Sequence, residues 1–301
     1  MLSIVIPYYK IIFFEDTLTS LSNQTDKRFK VYIGDDASYQ NPSNLLENYK
    51  GRFDFVYYRF KTNLGGTSLT QQWERCIALS NSEEWVMILG DDDVLGENVV
   101  EEFYSNLSKI EKFESNVVRF STVVINHDNE MISDAYLHPE LEDSVQFLMR
   151  ISLGSTRSSL SEYVFRKKVL LDVKFKNMNL GWHSDHLAVF ECCTQGYIFS
   201  INQALVFFRL SGLNISSRKD NLDIKYISAF EYYYYLLVMK SEFFTNEQRD
   251  VLLYRLEKII LNNKKKVVLF FKFTKFYLVN YYFKRYVKTL IKMFKLVLKF
   301  K

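Results

Sequence analysis

Trp85-Val86-Met87-Ile88-Leu89-Gly90-Asp91-Asp92-Asp93 is the stretch on which the reading of this chain turns, because five apolar residues run straight into three consecutive carboxylates. The apolar run has the length and character of a buried strand. Like charges this close repel, and a divalent cation, for which carboxylate oxygens are hard ligands, is the simplest compensation. A solvated acidic turn is the other reading, since Asp is common in turns. The surroundings decide between them.

Working outward, Leu2 to Ile6 and Phe29 to Ile33 read as strands, the second ending at Gly34, Asp35 and Asp36. Helical patterns begin at Glu15 to Leu21, Ser43 to Tyr49 and Ser68 to Leu79, with a further strand from Phe53 to Phe60. Strand and helix alternate over short connections, so the first half is α/β, a mostly parallel sheet flanked by helices. Parallel strands bring their C-terminal ends to one edge, where open α/β sheets bind ligands. Asp35 and Asp36 are therefore expected beside the triplet, which favours the metal reading over the solvated turn.

Farther along, Asn98 to Ile110 reads as a helix, Asn116 to Ile125 as a strand, His127 to Asn129 as a turn and Glu140 to Ile151 as a helix. Beyond Tyr163 to Phe165, Lys167 to Asp172 reads as a short helix, Asp185 to Cys193 as an amphipathic helix, and Tyr197 to Phe208 as two short strands. From Asp223 the pattern is helical. The expected division is a domain over residues 1–220, with a nucleotide-binding half at 1–110 and an acceptor half at 111–220, followed by a helical extension at 221–301.

The 301 residues, 48% of them apolar, suffice for a substantial core, and 3 Pro with 10 Gly argue against low-complexity linkers. Three cysteines, two of them the adjacent Cys192 and Cys193, make neither a disulfide framework nor a zinc spacing, which suits a reducing cytoplasm. The N-terminus lacks the basic region of a signal peptide and meets Pro7 at once, so it reads as a first core strand. The apolar stretch from Val267 to Phe283 is broken by Lys272 and Lys275, and no run reaches the length of a spanning helix. Between Lys264 and Lys301 lie 12 Lys or Arg and no acid, leaving 27 basic against 35 acidic residues elsewhere. An acidic body with a basic tail points to an anionic partner for the tail.

Four segments, in order and spacing, carry a family resemblance: Ser3-Ile4-Val5-Ile6-Pro7-Tyr8-Tyr9, Gly34-Asp35-Asp36-Ala37-Ser38, Asn63-Leu64-Gly65-Gly66 and Leu89-Gly90-Asp91-Asp92-Asp93. Together they resemble family 2 glycosyltransferases of bacterial surface-polysaccharide type, over Met1 to Ser217. The resemblance implies the GT-A (Rossmann-like) fold: α/β, a mostly parallel mixed sheet flanked by helices, here with a helical C-terminal extension. It further implies that Pro7, Tyr9 and Asp36, with Asp35 nearby, meet the nucleobase of a nucleoside-diphosphate sugar, expected to be a UDP-sugar. A divalent metal, Mn²⁺ or Mg²⁺, is implied at the triplet, with Asp93 and Asp91 as ligands, and Asp91 or Asp92 facing sugar and ribose. Chemically this agrees, since uracil offers an N–H to a carboxylate and a diphosphate needs a cation. Asn63 and Gly65 would let backbone approach the diphosphate. The chain departs from the family pattern at Ala37, where a glycine is usual, at Gln71-Gln72-Trp73, where Ala-Arg-Asn is frequent, and at Gly90, where the family often has Asp.

Transfer to a hydroxyl needs a general base. Gly181-Trp182-His183-Ser184-Asp185-His186 resembles the family's Glu-Asp motif at a helix start, with Ser184 in place of Glu, which makes Asp185 the candidate base; a helix-capping Asp is the alternative. Gln195-Gly196-Tyr197 and Phe207-Phe208-Arg209 stand where the family shows a glycine-aromatic turn and a Tyr-Arg motif. Arg209 either contacts phosphate or pairs with an acid on the sheet. His183 and His186 flank the proposed base, at a spacing that is weak for zinc. One base without a second nucleophilic carboxylate suits inversion of configuration.

In the tail, Lys284, Lys288, Lys292, Lys295 and Lys299 fall on one helical face among Val287, Leu290, Ile291, Phe294, Leu296, Val297, Leu298 and Phe300. A basic amphipathic helix fits an anionic membrane surface; the alternative is a terminal helix packed on the body. The expectation is a cytoplasmic enzyme, peripheral on the inner face of the cell membrane, acting on a lipid-linked glycan acceptor and not on nucleic acid. A sugar-nucleotide nucleotidyltransferase and a non-catalytic binding module are the competing classes. The first would carry a Gly-rich loop after the first strand, where Tyr8 to Phe14 has no glycine.

Overall fold

A computed structural model describes residues 1–193, 196–263 and 266–298. Gln195 of the glycine-aromatic motif, and Lys264, Lys299, Phe300 and Lys301 of the tail, lie outside the described residues. The chain divides into two compact units, one of Met1–Asn177 with Ser184–Arg218, the other of Met178–His183 with the chain from Lys219 onward.

In the first unit the order is β1 (Leu2–Tyr8), α1 (Phe14–Ser22), β2 (Phe29–Asp35), α2 (Ser43–Glu47), β3 (Asp54–Arg59), α3 (Leu69–Ile77), β4 (Trp85–Ile88), β5 (Val94–Leu95), α4 (Val99–Ser105) and α5 (Leu107–Lys112). There follow β6 (Val117–Ile125), β7 (Leu141–Asp143), α6 (Ser144–Leu153), a 3₁₀ turn (Leu160–Glu162), β8 (Tyr163–Arg166), α7 (Lys167–Val173), α8 (Ser184–Cys192) and β9 (Tyr197–Arg209). Among the described residues the sheet runs β3-β2-β1-β4-β8-β6-β9-β5, with β7 also on β9. Strands β3, β2, β1 and β4 are mutually parallel, β8 lies antiparallel between β4 and β6, and β6 and β9 are parallel. The fold is thus an α/β sheet flanked by helices, as the alternation implied, and a mixed one, as the family resemblance implied.

Central parallel strands covered on both faces are apolar throughout, and Leu2, Ile4, Val5, Ile6, Val86 and Met87 are fully buried. Several elements differ from the sequence reading. The stretch expected as a helix from Glu140 opens as β7, because Asp143 caps α6 by accepting from the Val145 and Gln146 amides at 2.9 and 3.1 Å. Tyr197 to Arg209 is one strand and not two: its register against β6 jumps from Phe120↔Ile201 to Ser121↔Leu205, a bulge whose polar residues mimic a turn in the sequence. The helix from Asn98 breaks at Asn106, whose side chain donates to the Glu102 carbonyl. Helix α8 is buried on nearly every side, so its apparent amphipathicity is misleading.

The second unit is helical: α9 (Leu222–Met239), α10 (Asn246–Asn262), α11 (Val267–Val279) and α12 (Phe283–Leu298). Ser228 donates to the Trp182 carbonyl at 2.9 Å and His183 stacks on Tyr232 with ring centres 4.5 Å apart, which ties Met178–His183 to α9. Arg285 on α12 pairs with Asp250 and Glu257 of α10. Among the described residues no helix is long and apolar enough to cross a membrane.

Candidate active site

Because β2, β1 and β4 are parallel neighbours, with Tyr8 opposite Asp35 and Val5 opposite Ile88, their C-terminal ends share one edge of the sheet. The segment leaving β1 joins the two acidic turns. The Tyr9 carbonyl accepts from Ser38 Oγ at 2.6 Å, while the Tyr9 and Lys10 amides donate to Asp91 Oδ2 at 2.6 and 2.7 Å. Pro7, opposite Gly34, is partly buried and the Tyr9 side chain is exposed on this edge.

Asp35 and Asp36 are scaffold carboxylates here. Asp35, fully buried, accepts from the Ser38 amide, the Tyr57 hydroxyl and Arg59. Asp36 accepts from the Leu64 and Gly65 amides at 2.6 and 2.9 Å and from Arg75, whose guanidinium lies over the Phe60 ring. A Cβ on Gly65 would come within 2.6 Å of Asp36 Oδ2, so this carboxylate is one reason a glycine stands here. Asn63 closes its own turn by accepting from the Gly66 amide. Ala37 stands at φ +53°, the left-handed conformation that explains why glycine is at ease there.

Within the triplet the three carboxylates have different surroundings. Asp93 is 3% exposed; its Oδ1 accepts from the Arg209 amide at 2.9 Å and its Oδ2 from the Ser161 hydroxyl, which itself accepts from the Gly90 amide. Asp91 is taken by the Tyr9 and Lys10 amides. Asp92 is partly exposed, and among the described residues its carboxylate accepts no hydrogen bond. A Cβ on Gly90 would lie 2.9 Å from Asp93 Oδ2 and 3.1 Å from Asp92 Oδ1, so a glycine is what lets both groups turn back over the strand end. Burial, and secondarily the charges of Asp93 and Asp91, push the Asp92 carboxyl well above the ordinary range. Burial also raises Asp91, to about 6, and raises Asp93. Burial is the main cause in all three, and for Asp92 and Asp91 the neighbouring carboxylates add to it.

Three adjacent carboxylates at the sheet edge are of the oxygen type that a divalent cation takes as ligands. Among the described residues no group of three or more His, Cys, Asp or Glu side chains is arranged to hold a metal by itself. One open carboxylate suffices where a diphosphate brings the remaining oxygens, as is common for Mg²⁺. Asp93 is bonded through both oxygens and Asp91 through Oδ2, while Asp92 is open among the described residues, so Asp92 joins Asp93 and Asp91, the ligands implied by the resemblance, as a group that could hold the ion.

Arg209 pairs with an acid: its side chain is fully buried, Nε donates to the Asp92 carbonyl at 2.8 Å, Nη1 to the Asn126 carbonyl at 3.1 Å and Nη2 to Asp16 at 2.9 Å. These bonds brace the acidic loop, the acid-pairing alternative of the two that the sequence left open for Arg209. The neighbourhood of Asp185, the first-turn acid of α8, is quieter. The carboxylate is 14% exposed, His186 Nε2 lies 3.9 Å away, and its charge reaches Tyr163. Tyr163 follows the 3₁₀ turn whose Ser161 holds Asp93. His183 stacks on Tyr232.

Sequence reasoning missed Ser161, Arg75, Asp16 and Lys10. Lys10 donates its ammonium to the Leu213 carbonyl and carries positive charge toward Asp91 and Asp92. Serines and surface cations have no local pattern, and these act across 68, 39 and 193 residues of chain. Only the β9 Arg, adjoining an aromatic pair, left a trace in the sequence.

Residues 3–158 match the family model described as glycosyl transferase family 2. No curated protein matches the chain. Among solved structures, the chain is similar to residues 1–349 of S. aureus TarS in complex with UDP-GlcNAc, with TM-score 0.63 and 15% identity over 88% of this chain and 73% of that one. The same TarS fragment with UDP gives TM-score 0.57 and 14% identity over 87% and 71%. The structure titled S. aureus TarS gives 0.60 and 15%, over 87% of this chain and 43% of that one. At such identities the likeness speaks to the GT-A fold. The family match itself spans half the chain, from the first strand past the acidic triplet, and on it the protein belongs to glycosyl transferase family 2.

Proposed function

We propose that this glycosyltransferase moves a sugar from a UDP-sugar to a hydroxyl of a lipid-linked glycan acceptor in surface-polysaccharide synthesis, with inversion and with a divalent cation held at Asp92. The carrying observation is that Asp92, at the parallel edge of the sheet, is the carboxylate of the triplet that accepts no hydrogen bond among the described residues. The UDP and UDP-GlcNAc complexes of the structurally similar TarS fragment support the choice of donor. Pro7 and Tyr9 line the base end. Asp35 and Asp36 hold that edge in shape through Arg59, Arg75 and the amides of residues 64 and 65, and meet the base only through oxygens already shared with these groups.

Asp185 removes the acceptor proton as the acceptor oxygen bonds to the anomeric carbon. The bond from that carbon to the diphosphate breaks, and UDP leaves with the electron pair. The cation, when bound, offsets the charge of the diphosphate. Arg209, Ser161 and the Tyr9 and Lys10 amides keep the acidic loop from rearranging, so the carboxylate facing the donor is preorganised. Asp185→Asn is expected to retain UDP binding and to lose 10²-fold or more in kcat, the usual range for a general base. Turnover at the parent rate would remove Asp185 from the mechanism.

A further inference from the structure

The described part of α12 has three stripes. At about 100° per residue, Arg285, Tyr286, Thr289 and Met293 fall on one side, where Arg285 meets Asp250 and Glu257, Tyr286 meets Thr274, and Thr289 is buried. Phe283, Val287, Ile291 and Phe294 form a second stripe that is 49%, 52%, 50% and 64% exposed. Lys284, Lys288, Lys292 and Lys295 form the third, beside the apolar one, and are exposed. A terminal helix that only packed on the body would spend its apolar stripe inward. Here the inward side is semi-polar and the apolar stripe faces outward. Helix α11 also exposes Val267, Val268, Phe271 and Val279 around Lys275.

We infer that this outward face of α11 and α12 is a docking surface for an anionic lipid bilayer. Charge favours lipid over a second copy of the chain: from residue 266 to 298 there are eight Lys or Arg and no acid. Among the described residues Lys275, Lys284, Lys288, Lys292 and Lys295 form no ion pair, so two copies meeting here would oppose like charges. An apolar stripe flanked by lysines suits the boundary between acyl chains and headgroups, where the lysine stems bury while the ammonium groups reach phosphate. Such seating would raise the effective concentration of a lipid-linked acceptor. The surface does not depend on the chemistry at Asp92 or Asp185.

Co-sedimentation of the full chain, without donor, with vesicles of phosphatidylcholine alone or mixed with phosphatidylglycerol tests this. Binding is expected only to the mixed vesicles and to weaken with salt. Each Lys→Gln change at Lys288, Lys292 or Lys295 should weaken it about fivefold, the equivalent of ~1 kcal/mol per charge. Ile291→Asp with Phe294→Asp, both at exposed positions and checked by an unchanged circular dichroism spectrum, should abolish it. Equal binding to both vesicle types, indifference to these substitutions, or a dimer that the Asp substitutions dissociate would overturn the inference. UDP affinity of the variants in solution should stay at the parent value, which separates failure here from failure of the catalytic reading.

Discussion

Replacing Asp92 by Asn should stabilise the protein free of metal while disabling it. Asp92 accepts no hydrogen bond among the described residues, so the amide forfeits no partner, and it removes a charge that burial and two neighbouring carboxylates disfavour. Relief of this kind at a functional site is worth ~1 kcal/mol, which for a protein of this size raises Tm by about 3 °C. Asp93→Asn gives the contrast. It leaves one acceptor oxygen where two were used, so one of the bonds from the Arg209 amide and Ser161 becomes neutral and the other donor faces an NH2, a loss of ~2 kcal/mol that outweighs the repulsion it relieves. The two variants should therefore shift Tm in opposite directions in EDTA at neutral pH, by scanning fluorimetry or urea melts. Since the Asp92 pKa is raised in the fold, its cost is present above the folded value and vanishes once both states are protonated. The advantage of Asp92→Asn should accordingly shrink toward about pH 4. Added Mn²⁺ with UDP should stabilise the parent and not Asp92→Asn. If Asp92→Asn destabilises as much as Asp93→Asn, Asp92 is not the open carboxylate.

Arg209→Met strands the Asn126 and Asp92 carbonyls and unpairs Asp16, and should cost ~3 kcal/mol in a urea melt. A loss of UDP affinity without loss of stability would instead make Arg209 a phosphate contact. His138 is buried beside Arg119, Arg150 and Arg157, and burial first and those cations second lower its pKa to about 2. A depressed histidine stabilises the fold above the unfolded value, near 6.5, and loses that as pH falls. The stability gap between parent and His138→Gln should thus move by ~2 kcal/mol in favour of the variant between about pH 7.5 and pH 5. Ala37→Gly, at φ +53°, should raise stability by ~1 kcal/mol, and a fall would show that the turn does not hold that conformation.

What the sequence made legible were patterns with a period or a sharp boundary. The alternation from Leu2 to Leu89 placed the parallel strands, and with them the shared edge on which Asp35, Asp36 and the triplet meet. Hidden was the division of labour among those acids, because it is set by partners distant in the chain: Ser161 and Arg209 for Asp93, Arg75 for Asp36, Arg59 and Tyr57 for Asp35. The bulge in β9 was unreadable for the opposite reason, since Asn202 and Gln203 look locally like a turn while the strand resumes past them. The lysine stripe of α12 was visible as a period, but which stripe faces inward is decided by Asp250 and Glu257, and no pattern within α12 encodes them.

The central claim is that the acidic edge binds a nucleoside diphosphate together with a divalent cation at Asp92. Titration calorimetry of UDP into the protein, with Mn²⁺ and then with EDTA, for the parent and Asp92→Asn, tests it most directly. The expected result is binding by the parent that EDTA weakens tenfold or more, and binding by Asp92→Asn that is weak and indifferent to the metal. Binding of equal strength in all four titrations, or none in any, would contradict it.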